Sequence, residues 1–290
     1  MLPKQIERFC AHLVTRNYSP HTIENYALDL RLFFSFAGKG VGQVTWRDID
    51  RFIEQQHDQE LEPTTINRRL NALKRFYDFL IIEQESLKIS PVKPSHFLRE
   101  GKPLPKKLTS QQLTDLFDQI DHPMDRALFL LMLRCGLRVS EVAHLKLSDI
   151  DWEQQMIFIE QGKGRQDRWM YLSRDAFDAL KECSRQRPAK VPGGYFFWNQ
   201  KRSYRPLSIK AIQKKMERYA KAAQIEASCH SLRHTFASNL LEEGATVVSI
   251  KEFLGHSSIT SSERYARLSN PQIKQTYLNT IKKVIAKTKV

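Results

Sequence analysis

The chain has 290 residues, enough to bury one large core or two smaller ones, with an ordinary 41% hydrophobic and 27% charged composition. Its 46 Lys and Arg against 32 Asp and Glu leave a formal charge of +14, a surplus that points to a polyanionic partner. An anionic membrane is the weaker choice, because the longest apolar run, Ala127–Leu133, is far too short to span one. The start, Met1-Leu-Pro-Lys-Gln5, has neither secretory nor transit character. Cys10, Cys135, Cys183 and Cys229 form no CxxC pair, so they read as buried thiols of a cytoplasmic protein.

Ile6, Phe9, Cys10, Leu13 and Val14 recur at helical spacing and predict a first helix. Ser19-Pro20 reads as an N-cap with proline at the first helical position, opening a second helix with Ile23, Tyr26, Leu30 and Phe33 on one face. Gly38, Gly40 and Gly42 mark a loop, and Thr45 with Asp48 forms a capping pair for a third helix. A fourth follows Pro63, with Ile66, Leu70, Leu73, Tyr77 and Leu80 inward. Its other face carries Arg68, Arg69, Lys74 and Arg75, which spacing alone reads equally as a solvated surface or a nucleic-acid contact.

Ser90-Pro-Val-Lys-Pro94 through Lys102-Pro-Leu-Pro-Lys-Lys107 is stiff and basic, the signature of an extended linker. It divides a helical domain, residues 1–93, from a second domain, residues 108–290, across a linker at 94–107. In the second domain, helices are expected after Thr109-Ser110, over Pro123–Cys135, over Ser140–Leu147, over Arg174–Cys183, over Ser208–Ala222, over Ser231–Glu243 and over Val247–Leu254. Met156–Ile159 and Arg168–Leu172, rich in branched and aromatic residues, flank Gly162-Lys163-Gly164 as a hairpin. Ile273, Tyr277, Ile281 and Val284 predict a last, basic helix. The fold class is mainly α with a small antiparallel β-sheet.

Four short pieces are each ambiguous alone: Gly136-Leu-Arg138-Val-Ser-Glu141, Gly162-Lys163-Gly164, His230-Ser-Leu-Arg233-His234, and Leu254-Gly-His256 followed by Tyr265. An Arg and a Glu three residues apart on a helix usually make a structural ion pair. Gly-Lys-Gly is usually only a turn, and a lone His or Tyr usually packs. In this order, however, the chain resembles the tyrosine recombinase (phage integrase) family. That family carries an Arg, a hairpin Lys, a His-x-x-Arg, a Leu-Gly-His and a later Tyr. The family's nine-residue step from His to Tyr is kept between His256 and Tyr265.

The resemblance implies a four-helix SAM-like core-binding domain and an α+β catalytic domain. It also implies a simple, Xer-type or transposon-encoded enzyme of integration, excision, resolution or transposition. The first helix begins almost at Met1, so no arm-binding domain is expected before it. The expected reaction cleaves and rejoins double-stranded DNA through a 3′-phosphotyrosine on Tyr265. Arg138 and Arg233, always charged and planar, suit a clamp on the scissile phosphate in place of metal ions. His230 is the expected base and later acid toward Tyr265. Lys163 is the acid for the leaving 5′ oxygen, His256 a donor to the phosphate, and Glu141 the group that orients Arg138. No metal and no other cofactor is expected. Expected partners are double-stranded DNA with short inverted core sites, a homotetramer on two such sites, and an accessory or paired recombinase, with no membrane. Arg68, Arg69, Lys74 and Arg75 then become DNA contacts, and the last helix reaches into a neighbouring protomer.

Rival assignments remain at this stage. His234 falls where the family packs a side chain. Tyr219 and Tyr277 lack an upstream Leu-Gly-His. Lys146 reads as surface charge at a helix end, and Asp149 with Asp151 as turn residues before the Met156 strand more than as a metal pair. A type IB topoisomerase, a catalytically silent DNA-binding regulator and a metal-dependent nuclease are the alternative functions.

Overall fold

The computed structural model describes residues 2–83, 87–100, 107–160, 167–199, 204–254 and 271–288. The chain divides into two compact units, Met1–Pro103 and Leu104–Val290, each with its own apolar core.

The described residues of the first unit form α1 (Leu2–Thr15), α2 (Pro20–Ala37), α3 (Trp46–Asp58) and α4 (Pro63–Glu83). Side-chain caps set where α2 and α3 begin. Ser19 Oγ accepts from the Thr22 N–H at 3.1 Å, and Asp48 accepts from the Thr45 N–H at 2.8 Å. Gly38, at φ 60°, closes α2 in the left-handed conformation that costs glycine least. The inward α4 residues Ile66, Leu70, Leu73, Tyr77 and Leu80 are all buried, sharing a core with Leu30, Phe33 and Phe52. Phe33 and Phe52 meet edge to face, their ring centres 5.1 Å apart. Val14 departs from the expected face and is exposed, because it stands about 100° around the helix from buried Leu13. Cys10 is half-buried.

Part of the stretch expected as an extended linker is held to the first unit. Val92 is buried in the first core, and the Asn67 amide holds both backbone groups of Leu98, donating to its carbonyl and accepting from its N–H at 2.9 Å each. One amide can satisfy an extended residue completely, which composition alone does not reveal.

The described residues of the second unit form α5 (Ser110–Asp118), α6 (Pro123–Arg134), α7 (Val139–Ala143), β1 (Ile150–Asp151), β2 (Met156–Ile159), β3 (Arg168–Tyr171), α8 (Arg174–Arg185), α9 (Ile209–Ala222), α10 (Cys229–Glu242), α11 (Val247–Leu254) and α12 (Pro271–Lys287). Helix α6 is central. Every residue from Ala127 to Leu137 is buried, and α8 and α10 pack against the helix. The antiparallel sheet runs β1-β2-β3, with Ile150 opposite Ile157 and Ile159 opposite Arg168.

Some boundaries differ from expectation. Helix α7 stops at Ala143, not Leu147, because the Phe196 N–H takes the Leu145 carbonyl at 2.7 Å and Asp149 takes the Lys146 N–H at 2.8 Å, starting a tight turn. Helix α10 starts at Cys229, not Ser231, because Ser228 Oγ accepts from the Ser231 N–H at 3.2 Å. The two-residue β1 is an addition. Helix α12 lies on its own unit, with Tyr277, Ile281 and Val284 buried; the side chain of Ile273 lies outside the described residues. Among the described residues no helix is long and apolar enough to cross a membrane.

Candidate active site

The site grows from the end of α6. Gly136 takes φ +63°, and a Cβ there would stand 2.4 Å from the Phe236 ring, so this turn requires glycine on both counts. The turn delivers Arg138 to the start of α7. Its N–H donates to Glu141 Oε2 and its Nη1 to Glu141 Oε1, both at 2.7 Å. From α10, Arg233 reaches across. Its Nη1 donates to the Gly136 carbonyl, its Nη2 to the Leu254 carbonyl at 2.7 Å, and it lies 3.9 Å from Glu141 Oε2. Arg138 and Arg233, far apart in sequence, therefore converge on one buried carboxylate.

A third guanidinium completes the cluster. Arg168 donates from Nη1 and Nη2 to the two Glu141 oxygens at 3.0 and 2.9 Å, and from Nε to the Phe253 carbonyl at 3.0 Å. Burial pushes the Glu141 carboxyl up, but the hydrogen bonds and charge of Arg168, then those of Arg138, outweigh it and hold Glu141 below its ordinary value. Burial, then the neighbouring Arg138, brings Arg233 down to about 10, so it stays charged at neutral pH. Among the described residues three guanidiniums surround one carboxylate, an excess of positive charge that suits an anion site.

The sequence reasoning did not single out Arg168. A signal was present: Met170, two residues on along β3, is fully buried, so strand alternation turns Arg168 inward, where an arginine needs a carboxylate. The other expected residues divide. Lys163, His256 and Tyr265 lie outside the described residues. His230 is exposed in the first turn of α10, three residues before Arg233 and so on its side of the helix. His234 is also exposed, not packed, because on α10 the core takes Leu232, Arg233, Thr235 and Phe236.

Both rival tyrosines are committed elsewhere. Tyr219 donates to Asp125 Oδ2 at 2.8 Å, and burial, then that hydrogen bond, pushes its phenol up to about 12. Tyr277 donates to the Arg134 carbonyl at 3.1 Å, and burial raises it well above its ordinary value. Asp151 Oδ1 accepts from the Glu153 and Gln154 N–H groups, and with the Asp149 bond to Lys146 both carboxylates serve turns. Lys146 is half-buried beside that turn.

The basic face of α4 is partly neutralised within its own unit. Arg68 pairs with buried Asp29, Arg69 lies 3.9 Å from the same carboxylate, Lys74 pairs with Asp78 at 2.8 Å, and Arg75 donates to Tyr18 Oη at 2.6 Å.

Comparison with known proteins agrees with this architecture. Residues 106–271 match the phage integrase family, and residues 6–84 match the phage integrase N-terminal SAM-like domain. The chain is 31% identical to tyrosine recombinase XerC of Halalkalibacterium halodurans, over 90% of this chain and 91% of that protein. It is also 31% identical to tyrosine recombinase XerA of Pyrococcus furiosus, over 93% and 91%. Its fold matches a lambda integrase dimer bound to a COC′ core site with a TM-score of 0.71 at 18% identity, over 89% of this chain and 95% of that one. Both of these curated relatives are tyrosine recombinases, and neither alternative, a topoisomerase or a silent regulator, is supported by them. The chain belongs to the phage integrase family of tyrosine recombinases, enzymes that cleave and rejoin DNA strands in site-specific recombination.

Proposed function

We propose that Tyr265 is the nucleophile and that Arg138 and Arg233 grip the phosphate it attacks. The observation that carries this reading is the convergence of the two arginines on Glu141, with positive charge to spare, while Tyr219 and Tyr277 have their hydroxyls buried and spent. A phenol with a reference pKa of about 10 attacks poorly until its proton is taken, and His230 is the base. The Tyr265 oxygen bonds to phosphorus as the bond to the 5′ oxygen breaks. That oxygen takes a proton from Lys163, and His256 donates to a non-bridging oxygen. The phosphotyrosine conserves the bond energy, and a 5′ hydroxyl reverses the step, so no metal or nucleotide cofactor enters. Glu141 orients Arg138.

The partner is double-stranded DNA with short inverted core sites. Residues 1–93 form the core-binding domain, residues 94–107 its basic connection and residues 108–290 the catalytic domain. Phosphate contacts come from the exposed Arg68, Lys74 and Arg75, while Arg69, expected among them, backs the buried Asp29. Four protomers on two duplexes, joined by exchange of α12 and working in the cytoplasm alone or with a paired recombinase, complete the reading. A lambda integrase tetramer bound to a Holliday junction, a fold relative with a TM-score of 0.70, supports such an assembly.

The test is a duplex nicked beside the cleavage position, which traps covalent protein–DNA adducts on a denaturing gel. Tyr265→Phe is expected to bind this DNA as the parent does and to form no adduct. Adducts that persist in Tyr265→Phe would show that another residue is the nucleophile.

A further inference from the structure

We infer that Arg168 is a positioning residue for strand cleavage, a role that rests on the reading of Arg138 and Arg233 above. Arg168 opens β3 opposite Ile159, and its side chain is only 9% exposed. Each of its three guanidinium nitrogens has an acceptor: two oxygens of Glu141 and the carbonyl of Phe253. The Arg168 fork is ion-paired on both prongs with Glu141, whereas Arg233 donates to uncharged carbonyls and stands 3.9 Å from that carboxylate, so Arg168 acts through its neighbours rather than on substrate.

Two pieces of the site meet at this one side chain. The Glu141 carboxylate that Arg168 holds is also the acceptor for the Arg138 N–H and Nη1, so the position of Arg138 depends on it. Phe253 precedes Leu254, whose carbonyl receives Arg233, so Arg168 and Arg233 hold successive carbonyls at the end of α11. The chain runs on from there to His256. On its other side, Arg168 closely follows the segment that carries Lys163. The charge balance has the same consequence. With Arg168 removed, Glu141 would draw Arg138 and Arg233 fully to itself, quenching the field they owe the phosphate. Arg168 neutralises Glu141 and leaves their charge for the reaction.

A merely structural ion pair predicts a loss of stability with binding and rate otherwise intact. The positioning role predicts a rate defect in folded protein. Arg168→Lys keeps the charge but loses the two-pronged grip and cannot also reach Phe253. The experiment measures single-turnover cleavage of the nicked duplex at saturating protein, affinity for the same DNA, and folding by circular dichroism at the assay temperature. Arg168→Lys is expected to cleave at least about tenfold more slowly while its affinity stays within about twofold. Adding Glu141→Gln is expected to slow it no further, because both changes break one unit. Arg168→Gln, which keeps a donor for Glu141 without charge, is read the same way should the lysine variant not fold. A parental rate in the folded variants, or rate losses that multiply when combined with Glu141→Gln, overturns the inference. Tyr265→Phe runs alongside. Adducts surviving there sink the nucleophile assignment, whereas adducts lost there with Arg168→Lys at parental rate sink only the role of Arg168.

Discussion

Residues that look alike in sequence separate once their surroundings are known, and the basic face of α4 is the case in point. Arg69 has a side chain 18% exposed beside Asp29, itself 2% exposed, whereas Arg75 is exposed and donates to Tyr18. On the outer face of α4 a side chain meets a duplex only where it faces solvent, so their substitutions should differ in kind. Arg75→Gln is expected to weaken binding to any duplex and to lower the slope of log affinity against log salt by about 0.9. Arg69→Gln is expected to leave that slope unchanged and to cost about 1–3 kcal/mol in urea unfolding, since buried Asp29 loses a counter-charge. Titration of labelled DNA at several salt concentrations decides the matter. A slope that falls for Arg69→Gln and not for Arg75→Gln would reverse the assignment. Spacing alone placed all four cations on one face, because Asp29 is a partner from another helix.

Elements were legible where their causes are local. Ser19, Thr45, Thr109 and Ser208 cap helices within three residues of themselves, and each marked its helix in the sequence. Elements whose limits depend on distant partners were not: α7 is cut short by a bond from Phe196 to Leu145, and Leu98 is docked by Asn67 from α4. The short motifs showed Arg138, Glu141 and Arg233, while Arg168 was marked only by the alternation of its strand and had no local motif to name its partner. Local capping also carries a pH signature. Asp48, buried at the start of α3, accepts from Lys39, from Thr45 and from Arg51. Burial pushes its carboxyl up, but the Lys39 and Thr45 hydrogen bonds outweigh that and hold it far below the usual range. A carboxyl with a depressed folded pKa stabilises fully above its unfolded value, about 3.9, and the contribution is lost as pH falls below that. The melting temperature of the parent should therefore exceed that of Asp48→Asn at pH 6, and the gap should shrink progressively below about pH 4. A gap constant from pH 6 to pH 2.5 would remove the charged capping argument.

At the scale of the molecule, the proposed exchange of α12 gives the C-terminal helix two demands to serve. In the single chain, α12 buries Tyr277, Ile281 and Val284, and its end is anchored by Arg134. That fully buried guanidinium donates to Thr288 Oγ1 at 2.7 Å, to the Thr288 carbonyl at 2.8 Å and to Asp175 at 2.7 Å. Exchange between protomers does not require new chemistry, because a neighbour offers the identical groove and the identical Arg134. The contacts broken on leaving are remade on arrival, and the net cost is confined to strain in the connection. Truncation after Asn270 breaks both arrangements at once. It opens the apolar groove and leaves Arg134 buried with Asp175 alone, so unfolding free energy should fall by about 3–5 kcal/mol. At a temperature where the shortened chain is still folded, it should bind a single core site but fail to pair two sites, as read by a native gel. Covalent adduct formation should fall with it. A truncated chain that pairs sites and cleaves like the parent would confine α12 to its own unit and end the proposal of exchange.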